Sequence, residues 1–351
     1  MYLESSCERL KHDFLKLENN RELAELLNIS FSRITYYVVR IPDSARYRSF
    51  QIKKRSGGFR KIDTPIKSLK IIQQKLSQVL YSVYQEKSCV HGFVVNKDII
   101  SNARAHTKKD FVLNIDLENF FGTINFGRVR GLFIGEPYNL PQDVATMIAN
   151  ICCYNNQLPQ GAPTSPIISN MICERLDRKL QQFARKYKLF YTRYADDITL
   201  SATRKEIPSS LATVSPENRN KIELGDELQK IIYENGFSIN HKKTRIAYSD
   251  QSQKVTGLIV NKTVNVPRKY IRDVRAALHD WDKNGYSKAQ EKYHLKYAKQ
   301  PSLQSKDSPS LHDSLRGSIE FIGHVRGRKD KVFCRLIAKL TVLKYRDLSK
   351  S

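Results

Sequence analysis

Acidic side chains are scarce in this 351-residue chain: 35 Asp and Glu stand against 60 Lys and Arg, a net charge of +25 at pH 7. That imbalance points to a polyanionic partner, nucleic acid first. No apolar run approaches the roughly 20 residues that a membrane-spanning helix requires. The start, Met1-Tyr-Leu-Glu-Ser-Ser, has neither the basic residues nor the apolar core of a signal peptide, so no membrane partner is expected. The six cysteines (Cys7, Cys89, Cys152, Cys153, Cys173, Cys334) include no Cys-x-x-Cys pair. Their spacing argues against zinc and predicts reduced thiols in a cytoplasmic protein. Internal repeats and low-complexity tails are missing too. Apolar residues are plentiful at 40%, enough for one large domain or two to three packed lobes.

Scarce carboxylates make their clustering informative. The stretch Tyr191-Thr-Arg-Tyr-Ala-Asp-Asp-Ile-Thr-Leu-Ser201 reads as strand, tight turn, strand, with two aspartates at the tip. Adjacent carboxylates are costly unless water or a cation compensates them. A hard divalent cation with oxygen ligands, Mg2+ foremost, answers that need. The run 111–116 is apolar, as long as one buried strand, and ends in Asp116. If the two strands lie side by side, Asp116 meets Asp196 and Asp197 at one end of a sheet, an arrangement suited to two metals and in-line phosphoryl transfer. Alone, Tyr-x-Asp-Asp is a weak signal, since an Asp-rich turn can simply prefer water. Its company strengthens it.

Apolar spacing predicts helices over 1–40, 65–83, 126–134, 141–153 and 221–234. A basic β-hairpin is expected over 47–62, turning at Gly57-Gly58. Its cations are either a solvated edge or a flap that meets a triphosphate; for Lys54 and Arg60 the second reading is favoured. His91 and His106 read as hydrogen-bonded structural residues. Phe121, five residues past Asp116, serves equally as a nucleotide-pocket floor or as plain core. In Leu158-Pro-Gln-Gly161 the glycine admits close backbone approach and Gln160 offers an amide to a nucleotide. Ser165 before Pro166 is expected to cap a helix running to about 188. Residues 236–244 form a turn and short strand presenting Lys242 and Lys243, and 254–261 a strand with Gly257 inside it. From Pro267 the pattern is helical and basic, with Arg268, Arg272 and Arg275 on one face and Ile271, Val274 and Leu278 on another. A polar interval spans 284–311.

Together, in order, these stretches resemble a reverse transcriptase. The basic hairpin is similar to the fingers, Asn114-Ile-Asp116 to the first palm motif, and Leu158-Pro-Gln-Gly161 to the motif leading a helix. Tyr194-Ala-Asp-Asp197 resembles the catalytic box. Asn102-Ala-Arg-Ala-His106 and Val255-Thr256-Gly257 match signatures of bacterial retron reverse transcriptases. A departure is Phe120-Phe-Gly-Thr-Ile124, where relatives often have Phe-Phe-Pro-Ser-Ile; the aspartate is untouched.

The resemblance implies an α+β right-hand polymerase: an N-terminal helical region (1–45), fingers (46–110), a palm (111–265) with interleaved fingers helices over about 136–188, and a helical, RNA-binding thumb (266–351), without an appended RNase H or endonuclease domain. Asp116, Asp196, Asp197 and the Leu117 carbonyl would ligate two Mg2+ ions, with Mn2+ a possible substitute. Asp197, facing away from its neighbour, would be the weaker ligand. Lys54, Arg60, Phe121, Gln160, Gly161 and either Lys242 or Lys243 would meet the deoxynucleoside triphosphate. Asn102, His106, Val255, Thr256, Gly257, Arg268, Arg272 and Arg275 would face RNA or primer. A retron enzyme implies a cognate structured RNA that is both template and primer, branched RNA–DNA as product, and an antiphage system with a separate effector protein. The competing readings are a group II intron-like or other bacterial reverse transcriptase, and a nucleic-acid scaffold that binds without polymerising.

Overall fold

A computed structural model describes residues 3–53, 57–215, 222–297 and 309–348. Helices α1 (Cys7–Leu15), α2 (Asn20–Leu26) and α3 (Phe31–Thr35) open the chain, followed by a π-helical turn, Tyr36–Arg40, and a single turn α4 (Asp43–Arg46). Ser6 and Asn19 cap α1 and α2 by accepting from backbone N–H groups that helix geometry leaves free. The hairpin β1 (Tyr47–Lys53) and β2 (Phe59–Pro65) follows. Gly57 and Gly58, just before β2, both have positive φ, which glycine adopts without steric cost. Next come α5 (Lys67–Val83), α6 (Ile99–Arg104), β3 (Phe111–Glu118), α7 (Phe126–Ile134), α8 (Gln142–Cys152), α9 (Ser165–Ile172) and α10 (Glu174–Lys186). Then β4 (Phe190–Tyr194), β5 (Asp197–Ala202), β6 (Ala212–Val214) and β7 (Ile222–Leu224) lead to α11 (Asp226–Glu234). Short strands β8 (Ser238–Ile239), β9 (Arg245–Tyr248), β10 (Lys254–Val255) and β11 (Leu258–Ile259) precede α12 (Arg268–Asn284), α13 (Tyr286–Tyr297), α14 (Leu311–Arg326) and α15 (Lys331–Leu348).

The chain divides into two compact units. The first comprises Met1–Gln51, Arg60–Asp98 and Asp110–Ile246. At its heart is an antiparallel sheet in the order β4-β5-β3-β8, with β9 also pairing to β3. Central position explains the composition of β3: Phe111, Val112, Leu113, Ile115 and Leu117 are all buried, so both faces of the strand are covered. Helix α10 packs on β4 and α11 on β8, burying Leu176, Leu180 and Phe183 from one and Leu228 and Ile232 from the other. Each such side chain contributes about 1.5–3 kcal/mol when removed from water. The second unit comprises Ile52–Phe59, Ile99–Lys109 and Ala247–Ser351, and its helices α12, α14 and α15 bury Trp281, Leu315, Ile319 and Leu340.

Several local expectations change. The helix expected to run to 188 is two, broken at Cys173. Ser165 is the first residue of α9 rather than its cap, and its hydroxyl donates to the Pro159 carbonyl at 2.7 Å. The single strand expected over 254–261 is a hairpin: Thr256 (φ +46°) and Gly257 (φ +84°) form a two-residue turn of the kind that matches strand twist. The polar interval contains helix α13, and the loop after 203 contains the ribbon β6–β7.

Candidate active site

The register of the central sheet brings the aspartates together. β3 runs antiparallel to β5 from Phe111 opposite Ala202 to Asp116 opposite Asp197. The turn Ala195-Asp196 joins β4 to β5, and Tyr194 pairs with Asp197. Leu117 N–H donates to the Asp196 carbonyl at 3.0 Å, tying the turn to the central strand. On the other side Asn240 N–H donates to the Asp116 carbonyl at 2.8 Å. All three aspartates therefore meet at one sheet end.

Their charges repel. Surrounding atoms that exclude water, and then the charges of Asp196 and Asp116, raise the Asp197 carboxyl to about 6 even though its side chain still opens to solvent. Asp196 is raised as well, chiefly by burial and also by Asp116, while Lys243 and Arg60 act against the rise. Lys243 places its ammonium 2.8 and 2.9 Å from the two carboxylate oxygens of Asp116. In this arrangement no group of three or more His, Cys, Asp or Glu side chains is set to hold a metal ion among the described residues. The donor chemistry nonetheless fits a divalent cation: hard oxygen donors carry surplus negative charge, and a lysine ammonium stands in for part of the compensation.

Of the two lysines, Lys243 contacts Asp116, and both side chains are exposed. Sequence reasoning missed Arg245. It lies two residues further along, its guanidinium is 3.4 Å from the Asn114 amide oxygen, and it lowers the Asp197 carboxyl.

The nucleotide-side residues divide. Arg60 is exposed, and its charge reaches Asp196; Lys54 lies outside the described residues. Gly161 has φ +126°, and a Cβ there would stand 2.9 Å from the Asp63 carbonyl. The close approach that requires glycine is therefore to β2, whose Asp63 N–H donates to the Gln160 carbonyl at 2.8 Å. Phe121 is half-buried, with its ring edge-on to Phe120 at 5.2 Å and tilted against Phe93 at 6.3 Å. Phe120 is the plain core residue of the pair, stacked on Phe237.

In the second unit, α6 packs on β10 and β11, so Asn102-Ala-Arg-Ala-His106 and Val255-Thr256-Gly257 form one structural piece. Thr256 Oγ1 donates to the Ile99 carbonyl at 3.1 Å, and Gln253 Nε2 to that of Lys109 at 2.9 Å. The expectation that Asn102, His106 and Val255 touch RNA is corrected: all three are 0% exposed and sit in the core. Both polar atoms of the Asn102 amide lack hydrogen-bond partners among the described residues, and nothing in the structure explains it. Thr256 is half-buried and Gly257 exposed at the turn. Arg268, Arg272 and Arg275 are exposed on α12, while Val274, Leu278 and Trp281 are buried.

The sequence matches the reverse transcriptase (RNA-dependent DNA polymerase) family over residues 52–261, more than half of the chain. The chain belongs to that family, and its α+β architecture is that of a right-hand polymerase. Such a domain implies a divalent-metal cofactor and a nucleic-acid template. Curated relatives narrow the kinship. The chain is 36% identical over 237 residues to the retron Ec86 reverse transcriptase of Escherichia coli, covering 67% of this chain and 69% of that protein. It is 31% identical over 291 residues to the retron Mx162 reverse transcriptase of Myxococcus xanthus, covering 76% of this chain but only 59% of that protein. By this kinship its family is that of the bacterial retron reverse transcriptases. Among solved structures, telomerase from Candida albicans in complex with a TWJ fragment of telomeric RNA aligns over 94% of this chain and 69% of its own, at 12% identity and a TM-score of 0.46.

Proposed function

We propose that this protein is an RNA-directed DNA polymerase that copies a cognate structured non-coding RNA into DNA from deoxynucleoside triphosphates. The observation that carries the reading is the meeting of Asp116, Asp196 and Asp197 at one end of the antiparallel sheet. These carboxylates and the Leu117 carbonyl would hold two Mg2+ ions, for which Mn2+ is a substitute. When bound, the ions supply charge neutralisation and an acidified primer hydroxyl for in-line phosphoryl transfer. The chain's own side chains orient the substrates. Lys243, 2.8 Å from an Asp116 carboxylate oxygen, would exchange that partner for a triphosphate. Arg60, with Lys54 on the sequence reading, steadies the same phosphates; Gln160 and Gly161 border the incoming nucleotide, and the Phe121 ring excludes a 2′-OH.

The retron kinship supports a finer reading. The RNA is both template and primer, synthesis starts at the 2′-OH of an internal guanosine, and the product is branched RNA–DNA (msDNA). This chemistry would serve antiphage defence in the cytoplasm, alongside a separately encoded effector protein. Residues 46–110 act as fingers, 111–265 as palm with the helices of about 136–188 interleaved, and 266–351 as an RNA-binding thumb. Arg268, Arg272, Arg275, Thr256 and Gly257 supply the RNA-facing groups, with Asn102, His106 and Val255 shaping the piece beneath.

The test is to purify the protein with its nucleic acid, sequence what co-purifies, and measure DNA synthesis with added Mg2+. Asp116→Asn and Asp196→Asn should each abolish extension while RNA binding persists, because each removes a ligand charge and little packing. Near-native extension by either variant refutes the ligand assignment. A wild-type protein that binds RNA and never extends it is a scaffold.

A further inference from the structure

Beneath the catalytic turn lies a buried ion pair that the carboxylate chemistry does not use. Arg193 and Asp177 are both 0% exposed. Arg193 Nε and Nη2 each donate to an Asp177 oxygen at 2.7 Å, and the Tyr191 hydroxyl donates to the same carboxylate at 2.7 Å. The remaining guanidinium nitrogen, Nη1, is 3.2 Å from Asn170 Oδ1 and 3.1 Å from the carbonyl of Ala195. Ala195 immediately precedes Asp196 and has φ +55°, a left-handed conformation unfavourable for any residue with a Cβ. A buried ion pair is weak evidence of stabilisation, since apolar residues of like volume often do as well. Its contact with a strained carbonyl beside a catalytic carboxylate is a more specific feature.

A second contact reaches the same turn. Segment 89–93 runs beside β4: Arg193 N–H donates to the Cys89 carbonyl and His91 N–H to the Arg193 carbonyl, both at 2.9 Å. Asn170, which receives Arg193, donates through Nδ2 to the Gly92 carbonyl at 2.9 Å. A Cβ on Gly92 would stand 2.4 Å from the Ala195 nitrogen and 3.0 Å from the Tyr194 carbonyl carbon. Both are backbone atoms that cannot swing aside. The turn is thus packed against the Gly92 backbone as well as held by a buried guanidinium.

We propose that Arg193, itself held by Asp177 and Asn170, is a positioning residue: it fixes the Ala195 carbonyl, and with it the left-handed turn that presents Asp196 to divalent cations. The inference rests on the polymerase reading. Arg193→Lys keeps a charge opposite Asp177 but has a single donor centre, which cannot serve Asp177, Asn170 and Ala195 together. Gly92→Ala leaves the ion pair intact and displaces the turn directly. Each variant is compared with wild type in three measurements: Mn2+ binding followed by electron paramagnetic resonance, the single-turnover extension rate at saturating metal and nucleotide, and affinity for the co-purified RNA. Both should bind Mn2+ about tenfold or more weakly and extend roughly 10- to 100-fold more slowly, with RNA affinity unchanged. If Arg193→Lys does not fold, Gly92→Ala carries the test. A folded variant with wild-type Mn2+ affinity and rate overturns the proposal, as does a parallel loss of RNA affinity, which marks a general structural role. Failure of wild type itself to bind Mn2+ or extend sinks the polymerase reading instead.

Discussion

Removing the Asp196 charge should make the metal-free protein more stable at neutral pH while ending its activity. The Asp197 carboxyl is raised from 3.8 to about 6, which corresponds to ~3 kcal/mol before any discount for solvent. Exclusion of water is the first cause and Asp196 only the second. Asp197 is also exposed enough for solvent to screen it, so the part owed to Asp196 is discounted to ~1 kcal/mol or less. The Asp196 carboxyl is itself raised, so its own charge is a further cost. Because the folded pKa lies above the unfolded one, the stability that the protonated Asp197 carboxyl lends is fully present below about pH 4 and is lost as pH rises through about 6. In EDTA at pH 7.5, Asp196→Asn should therefore melt ~1–2 °C above wild type, and below pH 4 the two should converge. Added Mg2+ should reverse the order, since a ligand that binds only the folded state at a hundredfold over its Kd adds about 2.7 kcal/mol, and the variant has lost a ligand. Thermal melts across pH, with and without metal, read all of this directly. A variant that melts below wild type in EDTA at pH 7.5, or a difference that ignores pH, would show that the carboxylates do not repel as argued.

Phe121→Ala should raise ribonucleotide incorporation by about tenfold or more, the usual scale for opening a pocket to one extra group; unchanged sugar discrimination in a folded variant returns Phe121 to the core. Neutralising Arg268, Arg272 and Arg275 together should weaken cognate-RNA binding and flatten its salt slope by about 2–3, while saturating generic primer–template is extended almost normally. Equal loss on both substrates means that α12 grips any duplex and selects nothing.

The parts of the site that sequence exposes are those whose position follows from local pattern. Asp116 closes a mostly apolar run, interrupted at Asn114 and as long as one covered strand, and Asp196 sits at the tip of a strand-turn-strand hairpin. The register that then pairs Asp116 with Asp197 is supplied by the structure. Helices α5, α7 and α8 are legible for the same reason: one apolar stripe at helical spacing fixes both the element and its buried face. The break at Cys173 is not, because α9 and α10 carry apolar residues across it.

What sequence hides is burial of polar groups and contact between distant backbones. Asn102 and His106 face RNA only on the family signature, and the packing of α6 on β10 and β11 shows them inside. Gly161 invites a ligand on paper, yet the atom that forbids its Cβ is the Asp63 carbonyl, nearly a hundred positions away. Arg193 is the strongest case. A cation in a strand of so basic a chain reads as one more group for phosphate, yet its guanidinium is fully buried and its partners come from α9, α10 and the turn it precedes. A charge withdrawn from water and satisfied by its own protein is unavailable to RNA, so its influence must pass through what it holds. The nearest thing it holds to the carboxylates is the Ala195 carbonyl, one residue from Asp196.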